Sequence, residues 1–447
     1  MATNDPKGKQ RTNDGSGPKP LTGRPQQPGG RRPLSFTLAF LGTEAGAGAV
    51  LATTALIAII FANSPLAADY FAFVNQPFRL TFGPFDHTDT VLEWTKEGLM
   101  TIFFFIVGLE IKYEAMRGEL SNRRKLAMPV IAAIGGMVLP ALVFLAVNAA
   151  PGGEQRAWAV PVATDIAFAL GALAVLGRKL PPSLRIFLLT LAIADDLGAV
   201  ILIAVLFTSE LALLPLTGAL LCLAVLVVLS RYRQAGPLIY GIGLLIVWAL
   251  VFESGVSPAI AGVATALTVP VHTRPDEELS PAREYMDSMH PYVAFGILPF
   301  FAFVAAGFSV QGLQIGDLLS PLPLGIVLGL TVGKTLGVFG AAWLAVKSGL
   351  AARPAGATWG QLLTISAFCG IGFTMSLFVS GLAFTEAPAA VEDAKLGILL
   401  GSILSATLGF LILRFAPPAR DQLEEEAKRR TEILTEGDIE GPGVTDR

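Results

Sequence analysis

Charge is the first thing this chain lacks. Only 15% of its 447 residues are charged, against 53% hydrophobic, which is far too apolar for a soluble protein of this size. Cysteine is scarce too. Cys222 and Cys369 both lie inside apolar runs, which gives no metal-ligand spacing and no basis for a disulfide. Residues 1–34 have almost no apolar content among their Gly, Pro, Lys and Arg. They therefore lack the apolar stretch of a cleaved signal peptide and are expected to be a disordered tail. Residues 418–447 are charged, with a helical start in DQLEEEAKRR and disorder beyond it. The net charge of −3 is dominated by tails and loops and says little. Neither tail carries a chemical motif, and neither a cofactor nor a nucleic-acid partner is expected.

What the chain has instead is apolar runs of membrane-crossing length, about 20 residues at 1.5 Å rise each. Twelve windows qualify, near 46–63, 91–111, 127–149, 157–177, 186–208, 211–230, 237–252, 257–271, 291–310, 322–346, 360–384 and 397–414, with 237–252 and 257–271 short for full spans. The expected fold is an all-α polytopic membrane protein of about twelve transmembrane helices, residues 35–417, with the lipid bilayer as its solvent. The N-tail, the loops 112–125, 178–185, 231–233, 272–290 and 347–353, and the C-terminal part together hold 27 of the 32 Lys and Arg residues. Basic loops collect on the cytoplasmic side, so both termini are expected there.

Between the first two spans, QPFRLTFGPFDHTDTV alternates apolar and polar residues around Gly83-Pro84, the pattern of a short β-hairpin. A lone hairpin is only marginally stable. Pairing with a second copy, as a homodimer through residues 76–92, is the expected remedy.

Four charges break the apolar runs: Asp165 in PVATDIAFALG, Asp195 and Asp196 in LAIADDLGAV, and Lys334 in TVGKTLG. A charge at the bilayer centre costs about 2.5 to 3.5 kcal/mol even on the lenient insertion scale, so four of them point to an ion or proton site rather than to packing. Adjacent Asp195 and Asp196 project about 100° apart on a helix and cannot share one face. One should face the ion path and the other should pair with Lys334. Spacing does not say which.

Two spans also carry helix-breaking features. AWAVPVATDIAFALGALAVLG holds Pro161, Thr164-Asp165 and Gly171, and ISAFCGIGFTMSLFVSGLAF holds Gly370 and Gly372 ahead of Thr374. A mid-membrane break is tolerated only where the freed backbone faces protein or a wet cavity. A pair of interrupted spans in two halves points to a secondary transporter with inverted repeats, here about 127–208 and 322–414. Gly325, Gly329, Gly333 and Gly337 recur every four residues and form a smooth stripe for close helix approach.

The chemistry that fits these groups is exchange of a hard monovalent cation for protons. Carboxylates, a threonine hydroxyl and unwound carbonyls are the oxygen ligands that sodium or lithium prefers. Burial favours a protonated aspartate and Lys334 favours an ionised one, so proton and cation compete for the same oxygens. Asp196 and Thr164 are candidate cation ligands, and Asp195 and Lys334 candidate proton carriers.

The chain resembles the NhaA family of sodium/proton antiporters over residues 34 to 415. The resemblance rests on FANS (61–64), FFFIVGLEIKYE (103–114), ATDIAFALG (163–171), LAIADDLGAV (191–200), HPYVAFGILPFFAFVAAG (290–307), GKTLG (333–337) and GIGFTMSLF (370–378). It implies two crossed, interrupted helices at mid-membrane, with Asp196 the main Na+ or Li+ ligand beside Asp195, and Asp195 ion-paired with Lys334. It also implies that Thr164 and Asp165 sit at the crossing, where the carboxylate offsets helix-end dipoles. Further implications are electrogenic exchange of more than one proton per sodium, dimers through the hairpin, and a bacterial inner-membrane location. Glu110 and Glu114 match carboxylates at a cytoplasmic cation funnel, although a solvated helix end facing Lys112 and Arg117 explains them equally well. The family's pH-sensing segment reads REYMDSMHP here. Met286 and Asp287 replace its glutamate and first histidine and leave His290, which puts strong pH activation in doubt.

Two other classes compete. An intramembrane aspartyl hydrolase could use Asp165 with Asp196 but has no use for Lys334 or a second broken span. A sodium-coupled symporter of an organic solute needs polar or aromatic groups that the core spans do not offer.

Overall fold

The computed structural model describes residues 44–82, 85–117, 123–176, 180–206, 211–232, 236–273, 279–385 and 387–415. Both expected tails and the Gly83-Pro84 turn lie outside the described residues. Twelve helical stretches occupy the twelve expected windows. They are α1 (Glu44–Ala62), followed by a short α2 (Ala67–Val74), then α3 (91–116), α4 (Arg123–Val147), and a 3-10 segment Gln155–Val162 that leads into α5 (Ile166–Leu176). Next come α6 (Pro182–Leu206), α7 (Leu213–Arg231), α8 (Pro237–Glu253), α9 (Ala259–Ala266) and α10 (Pro281–Ala306). The chain ends on α11 (Pro321–Lys347), the pair α12 (Trp359–Phe368) and α13 (Phe373–Ala383), and α14 (Pro388–Phe415).

Among the described residues, eight helices are long and apolar enough to cross a membrane, or nine with the bent pair α12–α13. The remaining three stretches fall short for visible reasons. α3 carries Lys96, Glu97, Glu110, Lys112 and Glu114, α8 has 17 residues, and α9 has 8. This is a multi-pass membrane protein.

The expected hairpin forms between α2 and α3. Strand β1 (Pro77–Phe82) runs antiparallel to β2 (Phe85–Thr90), in register from Pro77 opposite Thr90 to Phe82 opposite Phe85. Arg79 pairs with Asp86 across the strands and holds that carboxyl down at about 2. The hairpin also has an intramolecular anchor that the sequence did not reveal. Phe85 is buried against Trp94, Trp248 and Phe252, the Trp94 indole N–H donates to the Phe78 carbonyl at 2.7 Å, and His87 meets Glu253 at 2.7 Å.

The glycine stripe of α11 meets α4 and the 3-10 segment. A Cβ at Gly337 would lie 2.3 Å from the Gly135 carbonyl oxygen, one at Gly333 2.6 Å from Pro140 Cα, and one at Gly329 2.7 Å from Pro161 Cβ. Backbones at this distance gain van der Waals contact that lipid cannot supply. Beside this seam, α3, α10 and α13 share an aromatic core in which Phe378 touches Phe104 and Phe301 at ring distances of 5.3 and 6.3 Å.

Candidate functional site

Two breaks in helices meet at mid-bundle. The first lies at residues 163–165, where the 3-10 segment ends and α5 begins, and the second at 369–372 between α12 and α13, which are bent by 43°. Each break satisfies the freed groups of the other. The Asp165 N–H donates to the Ile371 carbonyl at 2.7 Å, and Thr164 Oγ1 donates to the Cys369 carbonyl at 2.9 Å. The Asp165 carboxylate in turn accepts from the Thr374 N–H at 3.0 Å, from the Thr374 hydroxyl, and from the Phe168 N–H at 3.1 Å. One carboxylate thus caps the N-termini of α5 and α13, the two ends that carry partial positive charge.

Gly370 is required by the closeness of α11 and α14 to the second break, and Gly372 by the closeness of the crossing itself. A Cβ at Gly370 would stand 2.2 Å from the Leu330 carbonyl, and one at Gly372 3.0 Å from the Ala163 carbonyl. Gly171 takes no part in the break. It lies inside α5, where α1 approaches at Gly48.

Lys334 follows directly on a π-helical turn in α11, Gly329–Gly333. Its ammonium is fully buried and donates to both carboxylate oxygens of Asp195, at 2.9 and 2.8 Å. Asp196 sits on the same turn of α6, 5% exposed, and the described residues offer its carboxylate neither a hydrogen-bond donor nor a cation in ion-pair range. A buried carboxylate in that position has to hold a proton or a cation. Toward the hairpin end, one turn along α6 from Asp196, Ala159, Val162, Ala199, Leu202, Ile203 and Val379 enclose an apolar gap of about 10 Å³. That is room for one water at most.

Residues 38–413 match the family model for Na+/H+ antiporter 1. A Na+/H+ antiporter NhaA from Paramagnetospirillum magneticum is 48% identical over 385 residues, covering 86% of this chain and 97% of that protein. One from Bordetella parapertussis is 47% identical over 392 residues, 87% and 98% of the two chains. NhaA 1 of Novosphingobium aromaticivorans is 45% identical over 413 residues, 91% and 97%. The chain belongs to the NhaA Na+/H+ antiporter family.

Not all residues that the NhaA resemblance singles out come together. Asp165, Thr164, Thr374, Gly370 and Gly372 form the crossing, and Asp195, Asp196 and Lys334 stand beside it. Glu110 and Glu114 lie one turn apart near the far end of α3. Lys112 does not face them. It turns to the end of α9, where its ammonium donates to the carbonyls of Leu267 (2.7 Å) and Val269. Lys112 is two positions from each glutamate, so it points about 200° away from both, toward the free carbonyls at the end of that eight-residue helix. His290 is exposed on α10, and Asp287 is held by Arg283 at 3.1 Å.

Reading the sequence missed the hydroxyls that support the crossing. Ser376 donates to the Val160 carbonyl at 2.8 Å, Ser402 accepts from the Phe373 N–H at 3.2 Å, and Ser405 donates to the Leu330 carbonyl at 3.2 Å. The available signal was Ser402 and Ser405, one turn apart in the largely apolar stretch 396–413 of α14.

Proposed function

We propose that this protein is an electrogenic antiporter that exchanges cytoplasmic Na+ or Li+ for external H+, in the bacterial inner membrane, with both termini cytoplasmic. The observation that carries the site assignment is the division of labour between adjacent aspartates. Lys334 is taken up by Asp195, and among the described residues Asp196 has no hydrogen-bond or ion-pair partner.

Asp196 is the main cation ligand, helped by Asp195 and by the Thr164 hydroxyl. Without the cation, Asp196 carries a proton and Lys334 stays protonated against Asp195, so the net charge of the three side chains is zero. A cation held by both carboxylates displaces the proton on Asp196 and one from Lys334, and the three side chains with the bound cation then sum to −1. Two protons move against one cation, and membrane voltage can drive extrusion. Asp165 stays ionised to balance the two helix ends, and Glu110 and Glu114 draw cations to the cytoplasmic mouth. The second copy expected at the hairpin would give a homodimer. No cofactor takes part, since Na+ and H+ are the cargo.

The repeats at about 127–208 and 322–414 carry the two broken helices and would move as a body against the other helices. The symporter alternative finds no support, because the relatives are named as exchangers and the residues around Asp196 include no subsite for an organic solute. The test is proton movement in everted vesicles acidified by respiration and read with a pH-sensitive dye. Sodium should alkalinise the lumen without any organic substrate. Silence from correctly inserted protein, at every pH from neutral to alkaline, would overturn antiport.

A further inference from the structure

Besides Lys334, one other lysine is buried among the described residues: Lys395, 6% exposed, near the start of α14. Its ammonium donates to the Gly307 carbonyl at 3.0 Å and to Glu392 Oε1 at 2.8 Å. Gly307 caps the C-terminus of α10. Two other side chains hold the same helix end. Tyr70 donates its hydroxyl to the Phe303 carbonyl at 2.6 Å. Asn63 of the FANS motif makes a two-point contact, donating to the Phe308 carbonyl at 2.9 Å and accepting from the Val310 N–H at 2.7 Å.

These three contacts differ in what they join. Asn63 follows directly on α1 and Tyr70 lies on α2, and both helices, like α10, lie outside both repeats. Lys395 comes from the second repeat. Its bond crosses from the repeat that carries a broken helix to α10, which lies outside both repeats, at the hairpin end of the bundle, the end toward which the apolar gap beside Val379 lies.

We propose that Lys395 is a positioning residue for alternating access, a latch that holds α14 and the second repeat against the carbonyl end of α10 while the site is closed toward the hairpin end. This rests on antiport by movement of the repeats. Chemistry suits the task. The ammonium neutralises the partial negative charge of the helix end, and Glu392, 46% exposed, keeps a counter-charge beside it at the solvent boundary. When the contact opens, the lysine swings into water with its partner instead of being stranded in lipid. A neutral side chain of similar length would fill the same space but hold nothing.

The test places a reporter in the closed route. In a Cys222→Ser, Cys369→Ala background, Val379→Cys is exposed to a membrane-impermeant thiol reagent on the hairpin side of oriented proteoliposomes. Lys395→Met should raise the labelling rate about tenfold, equivalent to about 1.4 kcal/mol of population shift, and Lys395→Arg should restore the original rate. Labelling of the Met variant at the parental rate would overturn the latch, even if its thermal stability or exchange rate fell. Failure of the parental protein to exchange sodium for protons would instead overturn the antiport reading, and the two failures are read in separate assays.

Discussion

At the scale of single residues, what decides the site is which of two neighbouring carboxylates a lysine reaches. Asp195 and Asp196 differ by about 100° of helix rotation, enough for Lys334 to close a two-point ion pair with one and leave the other unpartnered. Asp196→Asn removes the titratable group and should abolish exchange in the vesicle dye assay while the protein still inserts. Full activity in that variant would sink the assignment. Lys334→Ala strands the buried Asp195 carboxylate and should impair exchange or its dependence on voltage, measured as current across proteoliposomes at set potentials. If neither changes, the lysine is structural. Asp165 serves a different purpose, since it satisfies backbone N–H groups of Phe168 and Thr374. Asp165→Ala leaves those donors without a partner at about 1–3 kcal/mol each. The melting temperature in detergent should fall markedly, and Asp165→Asn, which keeps an acceptor, should fall less.

At the scale of elements, the breaks and the glycine stripe were legible in the residues, the crossing of the two breaks came only with the family resemblance, and the stripe's partner was not legible at all. Pro161 with Thr164-Asp165, and Gly370 with Gly372, marked the two interruptions, because proline and glycine change the local backbone whatever surrounds them. The π-helical turns Thr95–Leu99, Val293–Ile297 and Gly329–Gly333 left no such mark. An inserted residue of that kind is set by what the helix packs against, and here it fixes the direction in which Lys334 points. The stripe announced a close neighbour without naming α4. Gly337→Val would drive a branched side chain into the Gly135 carbonyl, 2.3 Å from the first added carbon. Neither backbone can yield cheaply, so the variant should show a large loss of folded protein by fluorescence size-exclusion. Gly340→Val, where a Cβ meets nothing within 4 Å, should be tolerated.

At the scale of the whole molecule, the hairpin is the part least explained by one chain. Its aromatic anchor on α3 and α8 supplies the stability that a lone hairpin lacks, so a second copy is not needed to hold it together. β1 still presents its face to solvent, with Pro77, Phe78, Arg79 and Thr81 exposed. Removing residues 77–90 should convert a detergent-solubilised dimer to a monomer by light scattering, while exchange in vesicles persists because the ion site lies mid-bundle. A dimer that survives the deletion would put the interface elsewhere.

The sequence by itself determined the class of molecule, the windows in which its helices form and the two broken helices. A bilayer makes this possible, because each span must satisfy its own backbone and so declares itself within one window of about 20 residues. Spacing left open which aspartate Lys334 takes, and only the family resemblance named Asp195. Tertiary structure alone decided that one Asp165 carboxylate caps two helices whose contact spans 209 residues of chain, and that Lys112 and Lys395 turn to helix ends. Those choices depend on how helices far apart in sequence cross, and no local pattern of residues encodes the angle and register of a crossing.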